Sequence, residues 1–453
     1  MRLWTCLESV PVDPELGPTD SVAVRAAELE AAGTAVLRWG TVAQPEPGVV
    51  EAEFALASGR LPLPDWYGES MTPSPPCDGG ARVAMVVPTG VGARIGGFIA
   101  DAGPFARVVD ALSDEVILHP NVVNGGDFYA AGSRSRYVDG YTLDCFFEGR
   151  VRLAPPRVRR IGLVIESDSE THIQGLLNAA NGIRAIYGID MVGYAVCEGS
   201  LGASVSRSPN GHYLGVVEDA RPLLQAVGRL QAAGADAVAI VTTCGGTSPV
   251  DWEEHYLEAG VNPVGALEAL LSRYVTRVTG LPSAHAPLYV GSLGHYDGVV
   301  DSRAAGEVAS GTGLPCVLLG LSRAPVTVAT GGVAVSDLTG IIVPYGCAVG
   351  VPAQGAQRYG VPLLAVQSNT CVVGVPASAL DRGRVVVIAS PAEAVAYLAA
   401  SRAGVAWELL SAPPTAIEEV QPGPEADSAT SRGRSSLPLA VTGNGSTPVA
   451  STR

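Results

Sequence analysis

The residues best suited to chemistry lie where apolar, strand-like segments of the chain end. Ligands of open α/β sheets bind outside the carboxyl ends of strands, so residues at these positions are candidates for a site. Glycine, asparagine, threonine, cysteine and histidine recur there, at Thr89-Gly90, His119-Pro-Asn121, Cys244, His285, Ser322-Arg323, Gly346-Cys347 and Asn369-Thr-Cys371. The pattern predicts a ligand site, although these residue types are also common in turns that bind nothing.

The segment 86–101 predicts a binding loop for an anion. An apolar strand over residues 83–87 stops at Pro88, turns through residues 89–92 and enters a small-residue helix from Ala93. Bare backbone N–H groups beside a helix N-terminus suit a phosphate or carboxylate, with Thr89, Gly90 and Gly92 as the predicted ligands. Close packing of the small residues is the alternative. The glycine spacing departs from the dinucleotide fingerprint, because glycine stands at 96 and not at 95.

Three cysteines are candidates for proton transfer. Two thiols that face each other across a pocket can remove and return a proton on opposite faces of a carbon acid, as in cofactor-independent amino-acid racemases. Cys244 and Cys371 each end a strong strand, and Cys347 is a third candidate of the same kind. Such a thiol needs nearby positive charge or a helix N-terminus to lower its pKa. Otherwise each cysteine is a small buried hydrophobic residue.

Two histidines and one arginine complete the candidates. His119 and His285 each neighbour a proline, which predicts exposed loop positions for a general base or a hydrogen-bond donor. His285 with His295 and Asp297 could supply metal ligands, but their spacing is not diagnostic. Arg323 is predicted to clamp a carboxylate or phosphate in a bidentate manner.

Composition excludes several classes of function. The chain contains no lysine, so it cannot use a pyridoxal phosphate aldimine, a Schiff-base lysine, a Walker-type phosphate loop or a serine–lysine dyad. Its net charge of -15 argues against nucleic acid and anionic membranes as partners. No apolar run of about 18 residues predicts a membrane span. The eight scattered cysteines form no CxxC pair, which favours reduced thiols and a cytoplasmic location.

Alternating apolar runs and helical segments predict an α/β fold with mainly parallel sheets flanked by helices, in two lobes. The predicted division is a small N-terminal appendage over 1–78, a first α/β unit with the glycine loop over 79–155, a second α/β unit over 156–411 and a disordered tail over 412–453. Residues 316–319 are predicted as a strand. Residues 282–287, which include His285, are predicted as a loop.

Several strings together resemble an uncharacterised family found in cyanobacteria, plants and some actinobacteria, over about residues 81–405. They are Val87-Pro-Thr-Gly-Val-Gly-Ala93, residues 97–101, His119-Pro-Asn-Val-Val-Asn124-Gly125, Val138-Asp-Gly-Tyr141, Ala284-His-Ala-Pro287 and Leu318-Leu-Gly-Leu-Ser-Arg-Ala-Pro325. The resemblance names no reaction. It implies site roles for Thr89, Gly90, Gly92, Asp101, His119, Asn121, Asn124, His285 and Arg323. It also implies that Cys347 is typical of the family and Cys244 is not.

These features predict an enzyme for a small anionic metabolite: an isomerase, racemase or lyase with no required cofactor. The predicted proton-transfer residues are Cys347, Cys244, Cys371, His285 and His119, and the predicted ligand-binding residues are Thr89, Gly90, Gly92, Asp101, Asn121, Asn124 and Arg323. One alternative is a metal-assisted hydrolase built on His119, His285 and Asp101. Another is a non-catalytic metabolite-binding protein. Homo-oligomer formation is left open.

Overall fold

A computed structural model describes residues 1–73, 80–98, 101–123, 131–167, 169–258, 260–288, 298–310, 313–375, 385–414 and 416–417. Met1–Trp407 forms one compact unit. No helix within these described ranges is both long and apolar enough to cross a membrane. Most of the tail predicted to be disordered, over 412–453, lies outside the described residues.

Within these ranges the strands and helices alternate along much of the chain. The strands are β1 (Leu3–Pro11), β2 (Ala35–Glu46), β3 (Val49–Ala57), β4 (Arg82–Met85), β5 (Glu115–Leu118), β6 (Ser135–Tyr137), β7 (Arg152–Ala154), β8 (Arg160–Ile165), β9 (Asp190–Val196), β10 (Ala203–Arg207), β11 (Tyr213–Val217), β12 (Ala237–Thr242), β13 (Ser283–Pro287), β14 (Val326–Val328), β15 (Gly340–Pro344), β16 (Leu363–Val366) and β17 (Val385–Ile388). The helices are α1 (Pro18–Ala31), α2 (Gly103–Leu112), α3 (Pro120–Val123), α4 (Gly140–Phe147), α5 (Glu170–Tyr187), α6 (Arg221–Ala232), α7 (Pro249–Glu258), α8 (Gly265–Thr279), α9 (Ala305–Ser310), α10 (Leu314–Ser322), α11 (Val351–Tyr359), α12 (Pro391–Arg402) and α13 (Glu408–Ser411).

Two parallel sheets flanked by helices confirm the predicted fold class. The six-stranded sheet has the order β17-β16-β15-β4-β5-β6 and the four-stranded sheet the order β13-β12-β8-β9, with every neighbouring pair parallel. Central strands of such sheets are covered on both faces, and therefore read as continuous apolar runs. Strand β12 is an example, since all six of its residues are buried.

A five-stranded antiparallel sheet joins the N-terminal segment to the rest of the unit. Its order is β10-β11-β1-β3-β2, and Leu3 of β1 pairs with Val217 of β11. The six-stranded sheet also joins segments that are far apart in the chain, because β4 pairs with β15. The division at residues 78, 155 and 411 stays a prediction, and the strand pairing runs across the first two of these boundaries.

Each parallel sheet has a point at which the direction of strand addition reverses. In the six-stranded sheet β5 and β6 follow on one side of β4, whereas β15 to β17 lie on its other side. In the four-stranded sheet the reversal falls between β8 and β12. Crevices at the carboxyl ends of strands beside such a reversal are the usual ligand sites of open α/β sheets.

The glycine loop does not enter a helix directly, so that prediction is wrong. Residues 94–98 form turns and bends, and α2 begins only at Gly103. Gly90, Gly92 and Gly96 have φ angles of 80°, 55° and 86°. These left-handed conformations are open to glycine but cannot belong to a right-handed helix.

The predicted strand over residues 316–319 is also wrong. The segment lies in α10, of which all residues from Leu314 to Leu321 are buried. A short, continuous apolar run is compatible with either a buried strand or a buried helix, and periodicity alone does not distinguish them.

Gly320 on α10 is required for its packing against the ring of Tyr137. A Cβ atom at position 320 would lie 2.5 Å from Tyr137 Cε2. Overpacking of this kind costs about 1–3 kcal/mol, so we expect Gly320→Ala to lower the free energy of unfolding by that amount in denaturant titrations. Gly228→Ala on α6 is the matched control, because its Cβ would meet nothing within 4 Å. It should raise stability by about 0.5–1 kcal/mol through helix propensity. Equal effects of the two substitutions would contradict the packing described here.

Candidate functional site

A cavity lies between the carboxyl ends of the two parallel sheets. The six-stranded sheet contributes the loop after β4 and Asn121, and the four-stranded sheet contributes the end of β13. About 40 Å³ of this inter-sheet cavity is open to the centres of water molecules. Five predicted site residues line it: Thr89, Gly90, Gly92, Asn121 and His285. Asn262, Glu268, Glu307, Gly313 and Val317 are further lining residues that the sequence did not single out.

The glycine loop is held in place by the segment that follows β16. The backbone N–H of Arg94 donates to the carbonyl of Thr370 at 2.7 Å, and that of Val372 donates to the carbonyl of Val91 at 2.9 Å. The side chain of Asn369 makes two hydrogen bonds with the backbone of Ile95. Its Oδ1 accepts from the N–H of Ile95 at 2.7 Å, and its Nδ2 donates to the carbonyl of Ile95 at 2.9 Å. The loop conformation therefore depends on residues 369–372.

Asp101 holds the glycine loop in place by a hydrogen bond. Its carboxylate accepts a hydrogen bond from the backbone N–H of Gly96. Burial raises the pKa of Asp101 to about 7, although hydrogen bonds from Gly96 and Phe98 and the charge of Arg303 oppose this effect. Asp101 is not among the cavity-lining residues, so the structure places it as a positioning residue of the loop.

A helix N-terminus does reach the glycine loop, but it belongs to α8. A Cβ atom at Gly265, the first residue of α8, would lie 3.1 Å from Thr89 Cγ2 and 3.3 Å from the backbone nitrogen of Gly90. This approach brings the first turn of a 15-residue helix against the loop. The positive end of the helix dipole therefore lies beside the cavity.

Thr89, Asn121 and His119 form a connected polar set. Asn121 Nδ2 donates to Thr89 Oγ1 at 3.1 Å, and the backbone N–H of Asn121 donates to His119 Nδ1 at 3.2 Å. His119 is buried, so its predicted exposed position is wrong. Burial, with the nearby Arg273 and Arg38, lowers the pKa of His119 well below its ordinary value. His119 lies outside the inter-sheet cavity and lines a second cavity, of about 60 Å³, with Arg38 and Cys347.

His285 is a buried strand residue, and the prediction of an exposed loop is wrong. It lies on β13, an edge strand of the four-stranded sheet. An edge strand tolerates a proline, although proline has no N–H to donate. Its Nε2 is 2.8 Å from Thr242 Oγ1, whereas its buried Nδ1 has no hydrogen-bond partner within the described chain. Burial lowers the pKa of His285 to about 3, so the ring is neutral.

Two carboxyl groups of the cavity were missed by sequence reasoning. Glu268 lies in the first turn of α8, and burial together with the nearby Glu307 raises its pKa to about 8. Glu307 Oε2 is 3.0 Å from Nε2 of the buried His255. Burial opposes the charge of His255, but Glu307 and the carbonyl of Gly260 outweigh it and raise the pKa of His255. No motif or spacing in the sequence marks Glu268, since its burial arises only from the packing of α8.

The cysteines are poorly placed for two-sided proton transfer. Cys347 and Cys371 have their sulfur atoms 3.7 Å apart, which leaves no room for a substrate between them. Burial, followed by the charge of Glu268, raises the pKa of Cys244 to about 12, so its thiol keeps its proton at neutral pH. None of the three is among the lining residues of the inter-sheet cavity.

The remaining candidates take other positions. Arg323 Nη1 donates to the carbonyls of Ala131 and Gly132 at 2.9 and 3.4 Å, and it does not line the inter-sheet cavity. Asn124, His295 and Asp297 lie outside the described residues. No three or more histidine, cysteine or acidic side chains within the described ranges form a group that could hold a metal ion. The metal-assisted alternative stays a prediction.

The raised pKa of Glu268 predicts a pH-dependent stability. Its ordinary value is 4.5 and its value in the folded protein is about 8, so the folded state binds this proton more tightly than the unfolded state does. The stability that the proton contributes is complete below about pH 4.5 and is lost as the pH rises through about 8. We expect the wild type to lose roughly 1–3 kcal/mol more than Glu268→Gln across this window, measured by denaturant unfolding.

The comparison of these two proteins isolates Glu268. Asp101 and Glu148, whose pKa values burial raises to about 7, are present in both, and so is His285. Their contributions to the pH dependence therefore cancel in the difference. Parallel curves for the two proteins would show that Glu268 ionises normally.

Comparison with known proteins bears on the family alone. A protein of Synechococcus sp. described as an uncharacterized lipoprotein is 32% identical over 330 residues, which cover 71% of this chain and 90% of that protein. No solved structure matches the chain. The model of a family of proteins of unknown function, DUF3326, matches residues 82–411, which agrees with the resemblance seen over about residues 81–405. The chain therefore belongs to the DUF3326 family.

Proposed function

We propose that this protein is an enzyme that moves a proton on a small anionic metabolite, as an isomerase or lyase, with Glu268 as the acid–base group. One observation carries the proposal. A carboxyl with a pKa of about 8 and a neutral histidine with an unpartnered ring nitrogen line the same small cavity. Titratable groups whose environments move their pKa values apart in this way are characteristic of acid–base sites.

Glu268 is suited to both directions of proton transfer. A group works best as acid or base when its pKa lies near the working pH. With a pKa of about 8, Glu268 is mostly protonated at neutral pH, yet its carboxylate is a stronger base than an ordinary glutamate. It can therefore take a proton from carbon and return it to a neighbouring atom of the same substrate.

His285 is suited to stabilise the charge that develops on the substrate. If the Thr242 hydroxyl donates to Nε2, the tautomer is fixed and Nδ1–H is left as an unpartnered donor on a residue that lines the cavity. A neutral imidazole donates a hydrogen bond to a developing enolate oxygen without giving up its proton. In this proposal His285 polarises a carbonyl, and it replaces the predicted cysteines in the reaction.

The glycine loop is suited to hold the negative group of the substrate. The backbone N–H groups of Gly90 and Gly92 donate to no other residue in the described part of the chain. They lie on the loop that the N-terminus of α8 contacts. Backbone donors beside a helix N-terminus favour a carboxylate or phosphate. A protonated Glu268 adds no repulsion to such an anion.

The size of the cavity restricts the substrate. A buried water needs about 10–15 Å³ of volume for its centre, so 40 Å³ corresponds to about three waters. The site therefore suits a metabolite with few non-hydrogen atoms and excludes a polymer in this conformation. We also propose a cytoplasmic location, where cysteine thiols are kept reduced.

Hydrogen exchange from carbon tests the function without knowledge of the product. The protein is incubated in D2O with a panel of small 2-oxo, 2-hydroxy and 2-amino carboxylates, and the loss of C–H signals is followed by proton NMR. We expect one class to exchange, and Glu268→Gln to slow that exchange by about 100-fold or more, as for loss of a general base. Glu253→Gln, at an exposed position on α7, is the matched control and should exchange at the wild-type rate.

Other outcomes identify the alternatives. A ligand that raises the melting temperature but never exchanges would favour the non-catalytic binding protein. Exchange or hydrolysis that requires an added divalent metal, and that is lost in His119→Gln but kept in Glu268→Gln, would favour the metal-assisted hydrolase. Exchange that survives in Glu268→Gln without metal would contradict the assigned acid–base group.

A further inference from the structure

Two cysteines form a contact pair beside the glycine loop. Cys347 follows β15 and Cys371 follows β16, and the last residues of these neighbouring strands, Pro344 and Val366, are paired in register. The two sulfur atoms are 3.7 Å apart, which is van der Waals contact. Among the cysteines that the structure describes, no other pair of thiols makes such a contact.

The backbone around the pair is shaped to admit the second sulfur. A Cβ atom at Gly346 would lie 2.6 Å from Cys371 Sγ, so any other residue at this position would take the place of the thiol. Cys371 is partly exposed, whereas Cys347 is buried. The hydrogen bond from Cys347 lowers the pKa of Cys371, and backbone hydrogen bonds from Val373 and Gly346 act in the same direction.

We propose that Cys347 and Cys371 are a redox modification site, at which a hydroperoxide converts the two thiols into a reversible disulfide. Formation of this disulfide changes the conformation of the glycine loop. The Cys371 thiolate attacks the outer oxygen of the hydroperoxide, the O–O bond breaks, and an alcohol or water leaves with one proton. The Cys347 thiol then attacks the resulting sulfenic acid and releases water as the S–S bond forms. Two thiols are oxidised and one peroxide is reduced.

The division of roles follows from access. Reactive thiols are exposed and carry thiolate character, whereas buried thiols are inert towards solutes. Cys371 meets the first condition and Cys347 does not, which makes Cys347 the resolving thiol. Burial raises the pKa of Cys197 and Cys244 to about 12, so they are poor competitors for the oxidant.

Cys371 is connected to the glycine loop through the hydrogen bonds of its two chain neighbours. Thr370 and Val372, on either side of Cys371, bond to Arg94 and Val91 of the loop at 2.7 and 2.9 Å. A disulfide bond is shorter than the present contact between the sulfurs, so closure moves the two side chains together. We expect the backbone of Cys371 to shift with its side chain, and the loop then follows or loses these bonds. An effect on catalysis rests on the proposed function, but the movement of the loop does not.

Peptide mapping tests the bond itself. Reduced protein is treated with hydrogen peroxide, its remaining thiols are alkylated, and the protein is digested with trypsin, which cleaves after Arg358 and so places the two cysteines in different peptides. We expect a Cys347–Cys371 linkage that dithiothreitol reverses. Cys371→Ser should abolish it, with Cys371→Ala as a second variant, and Cys197→Ser should retain it.

Hydrogen–deuterium exchange tests the coupling and needs no substrate. We expect the exchange rates of residues 89–98 to differ by several-fold between oxidised and reduced wild type, and to be unchanged by peroxide in Cys371→Ser. Absence of the linkage would overturn the proposal, and so would a linkage that leaves residues 89–98 unaffected. Failure of the carbon exchange test alone would leave this result in place, so the two proposals fail separately.

Discussion

The close approach of α8 to the glycine loop is the constraint on which the candidate site depends. Gly265 has no side chain, and a Cβ there would meet both Thr89 and Gly90 within about 3.3 Å. This contact holds the carboxyl end of the six-stranded sheet against the helix that precedes β13 of the four-stranded sheet. The inter-sheet cavity exists because the two edges meet there, and Glu268 faces it from one turn further along α8.

Burial of polar groups, more than their pairing, sets the electrostatics of this cavity. Glu268 and His285 are both shifted towards their neutral forms by loss of water. The neighbouring His255 differs, because Glu307 outweighs the effect of burial and raises the pKa of His255. Neutral groups of this kind stabilise the fold less than apolar ones would, and such a cost is common where function requires it.

Much of the fold was predictable from local patterns, and the errors have physical causes. Helix α5 and strand β16 follow such patterns, because amphipathic periodicity and apolar runs report burial directly. The helix expected from Ala93 failed because Gly96, three residues after Ala93, adopts a positive φ angle. His285 was assigned to a loop because a flanking proline is as compatible with the last strand of a sheet as with a turn.

The sequence by itself determined the α/β class, the exclusion of lysine chemistry and the positions of Thr89, Gly90, Gly92 and Asn121 after strand ends. These follow from composition and from order along one strand at a time. Only the tertiary structure brought Glu268 and Glu307 to the cavity and placed Cys371 against Cys347. Their roles depend on burial and on contacts between segments far apart in the chain. Neither the burial nor the contacts can be recognised from the neighbouring residues in the sequence.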